Sequence, residues 1–69
     1  MPNYRKLAGR ITERFGTRSA FARHLGWTES VLSNRLNGKV PFDVEDIVLF
    51  SLPENLDIPK SEIGTYFFA

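Results

Sequence analysis

The chain has 69 residues with nine basic and eight acidic side chains, one histidine and no cysteine, which excludes a disulfide framework, a thiolate zinc site and a thiol redox motif. At this length only roughly 60% of the unfolded surface is buried, which supports one small domain and argues against a deep enzyme pocket inside a layered fold. The formal charge of +1 conceals a division: residues 1–39 carry eight basic and two acidic groups (+6), and residues 40–69 carry one basic and six acidic groups (−5), an asymmetry that hints at an anionic partner for the first part.

The spacing of Tyr4, Leu7, Ala8, Ile11 and Phe15 predicts a helix over about residues 4–15 with one apolar face. Gly16 is its natural stop. Thr17 offers the N-cap hydroxyl of a short second helix over about 18–25, with Ala20 or Phe21 and Leu25 inward. Gly26 ends that helix, and Thr28 caps a third over about 29–37, with Val31, Leu32 and Leu36 inward and Asn37-Gly38 as the stop. After Pro41, Asp43 caps a fourth helix, with Asp46 acting on its first-turn amides and Val44, Ile47, Val48 and Phe50 or Leu52 supplying its apolar side. Pro53 closes it. Residues 54–58 read as a loop, and Pro59 opens a fifth helix over about 59–66. The fold class expected is all-α, a compact five-helix bundle, and the tail 66–69 is the one place where a short strand competes.

Two short helices joined by a turn containing glycine suggest a helix-turn-helix over about 17–38. Ala22 stands four residues before Gly26 and Leu32 six after it. A small residue suits a close helix crossing, a glycine the sharp turn, and a leucine the wedge between the two helices. Trp27, inside the turn, is expected to pack against the core or its rim. His24 is expected at the surface or half-buried, and Arg23 in solvent.

The run Phe21-Ala22-Arg23-His24-Leu25-Gly26-Trp27-Thr28-Glu29-Ser30-Val31-Leu32-Ser33, followed by Leu36-Asn37-Gly38-Lys39, resembles the Cro/C1-type helix-turn-helix of phage repressors and bacterial xenobiotic-response-element regulators. The closing Glu62-Ile63-Gly64-x-Tyr66-Phe67-Phe68 is similar to that of small phage-associated members of the group. The resemblance covers about residues 5–68 and is strongest over 17–39. It implies a lambda-repressor-like bundle, sequence-specific binding to double-stranded DNA, and a homodimer on a palindromic operator in a bacterial host's cytoplasm. Two positions depart from the family pattern. Arg18 stands where many members have a phosphate-binding Gln, a role Arg can also fill. Arg35 stands where many members bury an aliphatic residue, so Leu36 is expected to take that place.

A recognition helix sets its first residues against base edges in the major groove. Glu29, Ser30, Ser33 and Asn34 are therefore the expected base contacts: Asn34 suits adenine N6 and N7, the serines suit several bases, and Glu29 can accept from cytosine N4. Glu29 has a second reading, as a favourable charge at a helix N-terminus. Thr17, Arg18, Thr28, Arg35, Asn37 and Lys39 are the expected phosphate contacts, which fix register without reading sequence. Arg10 and Arg14 are either phosphate ligands or solvated charges, with Arg10 alternatively paired to an acid on another helix.

The segment 43–69 is acidic and would face away from DNA. Its apolar surplus (Phe50, Leu52, Leu56, Tyr66, Phe67 and Phe68) exceeds what two short helices need. A dimer interface of Leu52, Tyr66, Phe67 and Phe68 is expected, against the alternative that these side chains fold back onto the first helix.

No catalytic residue, metal ligand, cofactor, small-molecule ligand or membrane partner is expected. Ser30 and Ser33 have no base arranged beside them, the five glycines form no phosphate loop, and no apolar run approaches the ~20 residues of a membrane span. The N-terminus lacks a secretory signal. The competing reading is a protein-interaction module on the same fold, an antitoxin or an anti-repressor.

Overall fold

A computed structural model describes residues 4–68. They form α1 (Arg5–Phe15), α2 (Arg18–Leu25), α3 (Glu29–Leu36), α4 (Val44–Ser51), a single 3-10 turn (Lys60–Glu62) and α5 (Ile63–Phe67). No strand occurs among them. The alternative strand at the tail is excluded for Tyr66 and Phe67, which are helical; Ala69 lies outside the described residues. The radius of gyration is 10.8 Å, against about 11 Å for a folded chain of this length. None of the helices is long and apolar enough to cross a membrane.

The helix ends follow local chemistry. Thr17 Oγ1 accepts from the Ala20 amide at 3.1 Å and starts α2. Gly26 adopts a left-handed φ of 77°. Its amide donates to the Arg23 carbonyl and the next amide, of Trp27, to the Ala22 carbonyl at 2.8 Å, which satisfies the last carbonyls of α2 in a Schellman arrangement. Thr28 Oγ1 accepts from Val31 and starts α3. The same closure then recurs at Gly38 (φ 79°), whose amide donates to Arg35 while that of Lys39 donates to Asn34. Asn37 keeps a negative φ, so glycine alone supplies the left-handed residue there. α4 opens with a reciprocal capping box. Asp43 Oδ1 accepts from the Asp46 amide at 2.8 Å, and Asp46 Oδ2 accepts from the Asp43 amide at 3.3 Å.

The core is a continuous cluster of Leu7, Ile11, Phe21, Ala22, Leu32, Leu36, Phe50, Leu56, Ile58 and Phe67. Every α-helix contributes to it, and α5 packs on both α1 and α4. The Phe50 ring is the meeting point of the aromatic side chains. It lies 5.1 Å from Phe21, 5.5 Å from Trp27, 5.2 Å from Phe42 and 6.2 Å from Phe67, mostly edge to face.

Three expected core residues sit outside. Val44 is 76% exposed, Val48 56% and Val31 36%. The reason is rotation. Asp46, Ile47 and Phe50 share one side of α4 and are buried or partly buried, which turns Val44 and Val48 to the opposite side. In α3, Leu32 and Leu36 take the inner stripe and leave Val31 about 100° round the helix from Leu32.

The loop 54–58 is far less peripheral than its sequence suggests, since Asn55, Leu56 and Ile58 are all buried. A buried loop needs partners for its backbone groups. α1 supplies them: Arg14 Nε donates to the Asn55 carbonyl at 2.9 Å and Nη2 to that of Pro53, while Arg10 Nε donates to the Leu56 carbonyl at 2.8 Å and Nη2 to that of Asp57. Arg10 does pair with an acid, but that acid is Glu13 on its own helix. Both arginines thus tie α1 to the loop.

Asn55 closes the loop from inside. Its Nδ2 donates to the Leu49 carbonyl at 2.6 Å, so its Oδ1 faces His24 as the acceptor, with Nε2 of the ring donating at 2.8 Å. His24 also packs its ring on Phe15. Asn55→Ala removes the 2.6 Å donor of the Leu49 carbonyl, which keeps only the 3.4 Å bond from the Leu52 amide, and deletes the bond to His24, at a cost of about 2 kcal/mol, or about 10 °C in Tm for a domain of this size. His24→Ala costs under about 1 kcal/mol, because His24 is exposed and Asn55 keeps its bond to Leu49. Paired thermal melts check this order.

Candidate nucleic-acid interface

The candidate face is built on the first turns of α2 and α3. Thr17 stands exposed at the N-cap of α2 and Thr28 exposed at that of α3. A hydrogen bond ties the two first turns together: Ser19 Oγ of α2 donates to Glu29 Oε2 of α3 at 2.7 Å. Arg18 is the first residue of α2, next in sequence to Ser19, and helix geometry sets Ser30, Ser33, Asn34 and Asn37 on the outer side of α3, away from Leu32 and Leu36.

Along that outer side, Ser30 is exposed, while Ser33 and Asn34 are partly buried. The side chains of Ser30, Ser33 and Asn34 make no hydrogen bond with any described residue. Their donors and acceptors are available to an external partner. Asn37 and Lys39 stand exposed at the far end. The side chains of Arg18 and Lys39 form no ion pair or hydrogen bond among the described residues, which leaves the first cation of α2 and the one just past α3 unengaged. Val31, exposed between them, adds one apolar contact surface.

Arg35 departs from its expected role as a phosphate ligand. Its Nε donates to Asp46 Oδ2 at 3.1 Å and its Nη1 to the Val31 carbonyl at 3.3 Å, and its Cζ lies 4.7 Å over the Trp27 ring. The side chain is 20% exposed. An acid from α4 and an aromatic face from the turn both compete for the guanidinium, and together they hold it inward. Trp27 takes the expected packing position, against Phe50. Sequence reading missed this arrangement because Arg35 and Asp46 sit in different helices at a separation that follows no local rule. The role of Ser19 has no sequence signal either, because its partner Glu29 lies ten residues on, in another helix.

The four expected interface residues of the C-terminal segment separate. Phe67 is 3% exposed and packs on Phe42 and Phe50 inside the chain, so it offers nothing to a second subunit. Half of the apolar surplus attributed to this segment is consumed the same way, by Phe50, Leu56 and Phe67. Leu52 and Tyr66 are partly buried, Tyr66 against the core. Phe68 is 71% exposed.

A comparison with curated proteins found no match. Residues 2–69 match the model of a family described as a protein of unknown function, DUF739. The match spans the whole described structure, both the α2–α3 face and the C-terminal segment, and the chain therefore belongs to the DUF739 family.

Proposed function

We propose that the chain is a non-enzymatic, sequence-specific binder of double-stranded DNA, a transcriptional regulator of the Cro/C1 kind from a phage or prophage. In this reading the bundle is lambda-repressor-like, α2 and α3 are the helix-turn-helix, and α3 enters the major groove. The observation that carries it is the outer side of α3. Ser30, Ser33 and Asn34 present unsatisfied polar groups between two cations, Arg18 and Lys39, on a helix whose opposite side is locked into the core by Leu32 and Leu36. Such a strip suits base edges in a groove bordered by phosphates. Thr17, Thr28 and Asn37 fall at the borders of the strip and suit phosphate oxygens.

A chain with two phosphate-bound cations per protomer gives, as a dimer, a slope of about −4 in log K against log salt. Arg18→Glu with Lys39→Glu replaces both attractions by repulsion and abolishes binding at physiological salt while leaving the fold intact, since neither side chain has a partner among the described residues. Fluorescence anisotropy with a labelled duplex across a salt series measures both. A slope near zero, or reversed variants that bind as tightly as the parent, contradicts the proposal.

The partner subunit is proposed to be a second copy, which lets two α3 helices meet successive major-groove turns of a palindrome in the host cytoplasm. With Phe67 inside the core, Phe68 is the main apolar group of the tail left for that contact, and Tyr66 and Leu52 are only partly exposed. Phe68→Glu is expected to shift the chain from dimer to monomer in sedimentation equilibrium, and to weaken duplex binding without changing the helical circular dichroism.

A further inference from the structure

Glu29 is the sole acidic residue between Thr17 and Lys39, a stretch that also holds Arg18, Arg23, Arg35 and Lys39. A negative charge here opposes a polyanion. A charge that served only to stabilise the start of α3 would need proximity to its first amides and nothing more. Glu29 has more. Ser19 Oγ, from another helix, holds Oε2 at 2.7 Å, and Oε1 is left without a partner at the exposed edge.

A carboxylate only accepts hydrogen bonds. In the major groove the donors are the exocyclic amines, N4 of cytosine and N6 of adenine. Guanine O6 and N7 and thymine O4 are acceptors and repel it. Resting on the DNA-binding reading above, we propose that Glu29 and Ser19 form a specificity filter. Glu29 accepts from an amine-bearing base at one position of each half-site and excludes guanine and thymine there, and Ser19 is the positioning residue that keeps the free oxygen aimed into the groove. The filter acts as much by rejecting wrong duplexes as by holding the right one. It lowers affinity for unselected DNA, which an unopposed basic face would bind indiscriminately.

The experiment begins with duplexes that the unmodified chain selects from a random pool. Each base pair is then inverted in turn, and binding is measured for the parent, Glu29→Ala, Ser19→Ala and Ser19→Thr. For the parent, inverting one pair per half-site, which moves its exocyclic amine to the other strand, costs roughly tenfold or more. Glu29→Ala, which removes the acceptor and the charge, cuts that preference to under about threefold and binds unselected duplex several-fold more tightly. Ser19→Ala weakens the same preference, and Ser19→Thr, which keeps the hydroxyl, restores it. If Glu29→Ala keeps every base preference of the parent and only melts at lower temperature, Glu29 is a helix-end charge and the filter is overturned while DNA binding stands. If Ser19→Ala keeps the full preference that Glu29→Ala loses, the positioning role of Ser19 is overturned. If the parent enriches no sequence, the DNA-binding reading and the filter fall together.

Discussion

The contact on which this small fold turns is the ring of Phe50. It joins Phe21 of α2, Trp27 of the turn, Phe42 of the linker and Phe67 of α5, so a side chain from the acidic half anchors α2 and the turn that leads into α3. That anchoring is a physical necessity. α2 and α3 have eight residues each, too short to persist alone, and helices of this length draw their stability from burying an apolar stripe. Leu32, Leu36, Phe21 and Ala22 find that burial only because α1, α4, the 52–58 turn and α5 close over them. The C-terminal half is therefore half of the core that presents α3.

Charge binds the halves together as well. Three of the eight cations of residues 1–39 reach across: Arg10 and Arg14 to the carbonyls of the 53–57 turn, and Arg35 to Asp46. Charge-assisted bonds of this kind satisfy backbone groups that the buried loop would otherwise leave unmet. The cost falls on long-range attraction. With those groups engaged and Glu29 at the front of α3, the face offers Arg18 and Lys39 and little further net charge, and screening limits the reach of both to about 10 Å. On the proposed function, a face of that kind depends on short-range contacts more than on diffuse attraction to nucleic acid.

The helices were largely legible because their ends are written in short-range chemistry. Thr17, Thr28 and Asp43 accept from the amides their positions foretell, and Gly26 and Gly38 take the left-handed turns that close α2 and α3. What was illegible is tertiary. Nothing in the periodicity of α4 tells that Asp46 turns inward to meet Arg35, and with that rotation Val44 and Val48 pass to solvent. Nothing in the sequence 54–58 marks a buried loop, because its stabilising partners lie about forty residues earlier on α1. Phe67 and Phe68 are neighbours of identical chemistry, and only the fold decides that one is core and the other surface. The candidate face was legible as a set of positions on α3. The withdrawal of Arg35 and the grip of Ser19 on Glu29 were not.

The central claim is that a duplex lies along α3 and the start of α2. The most direct test is a heteronuclear NMR titration of the isotope-labelled chain with a duplex of mixed sequence at low salt, where non-specific electrostatic binding is strong enough to observe. Amide shifts concentrated at Thr17–Ser19, Thr28–Asn34 and Asn37–Lys39 are the predicted result. Shifts confined to α4 and α5, or none at all, would contradict it.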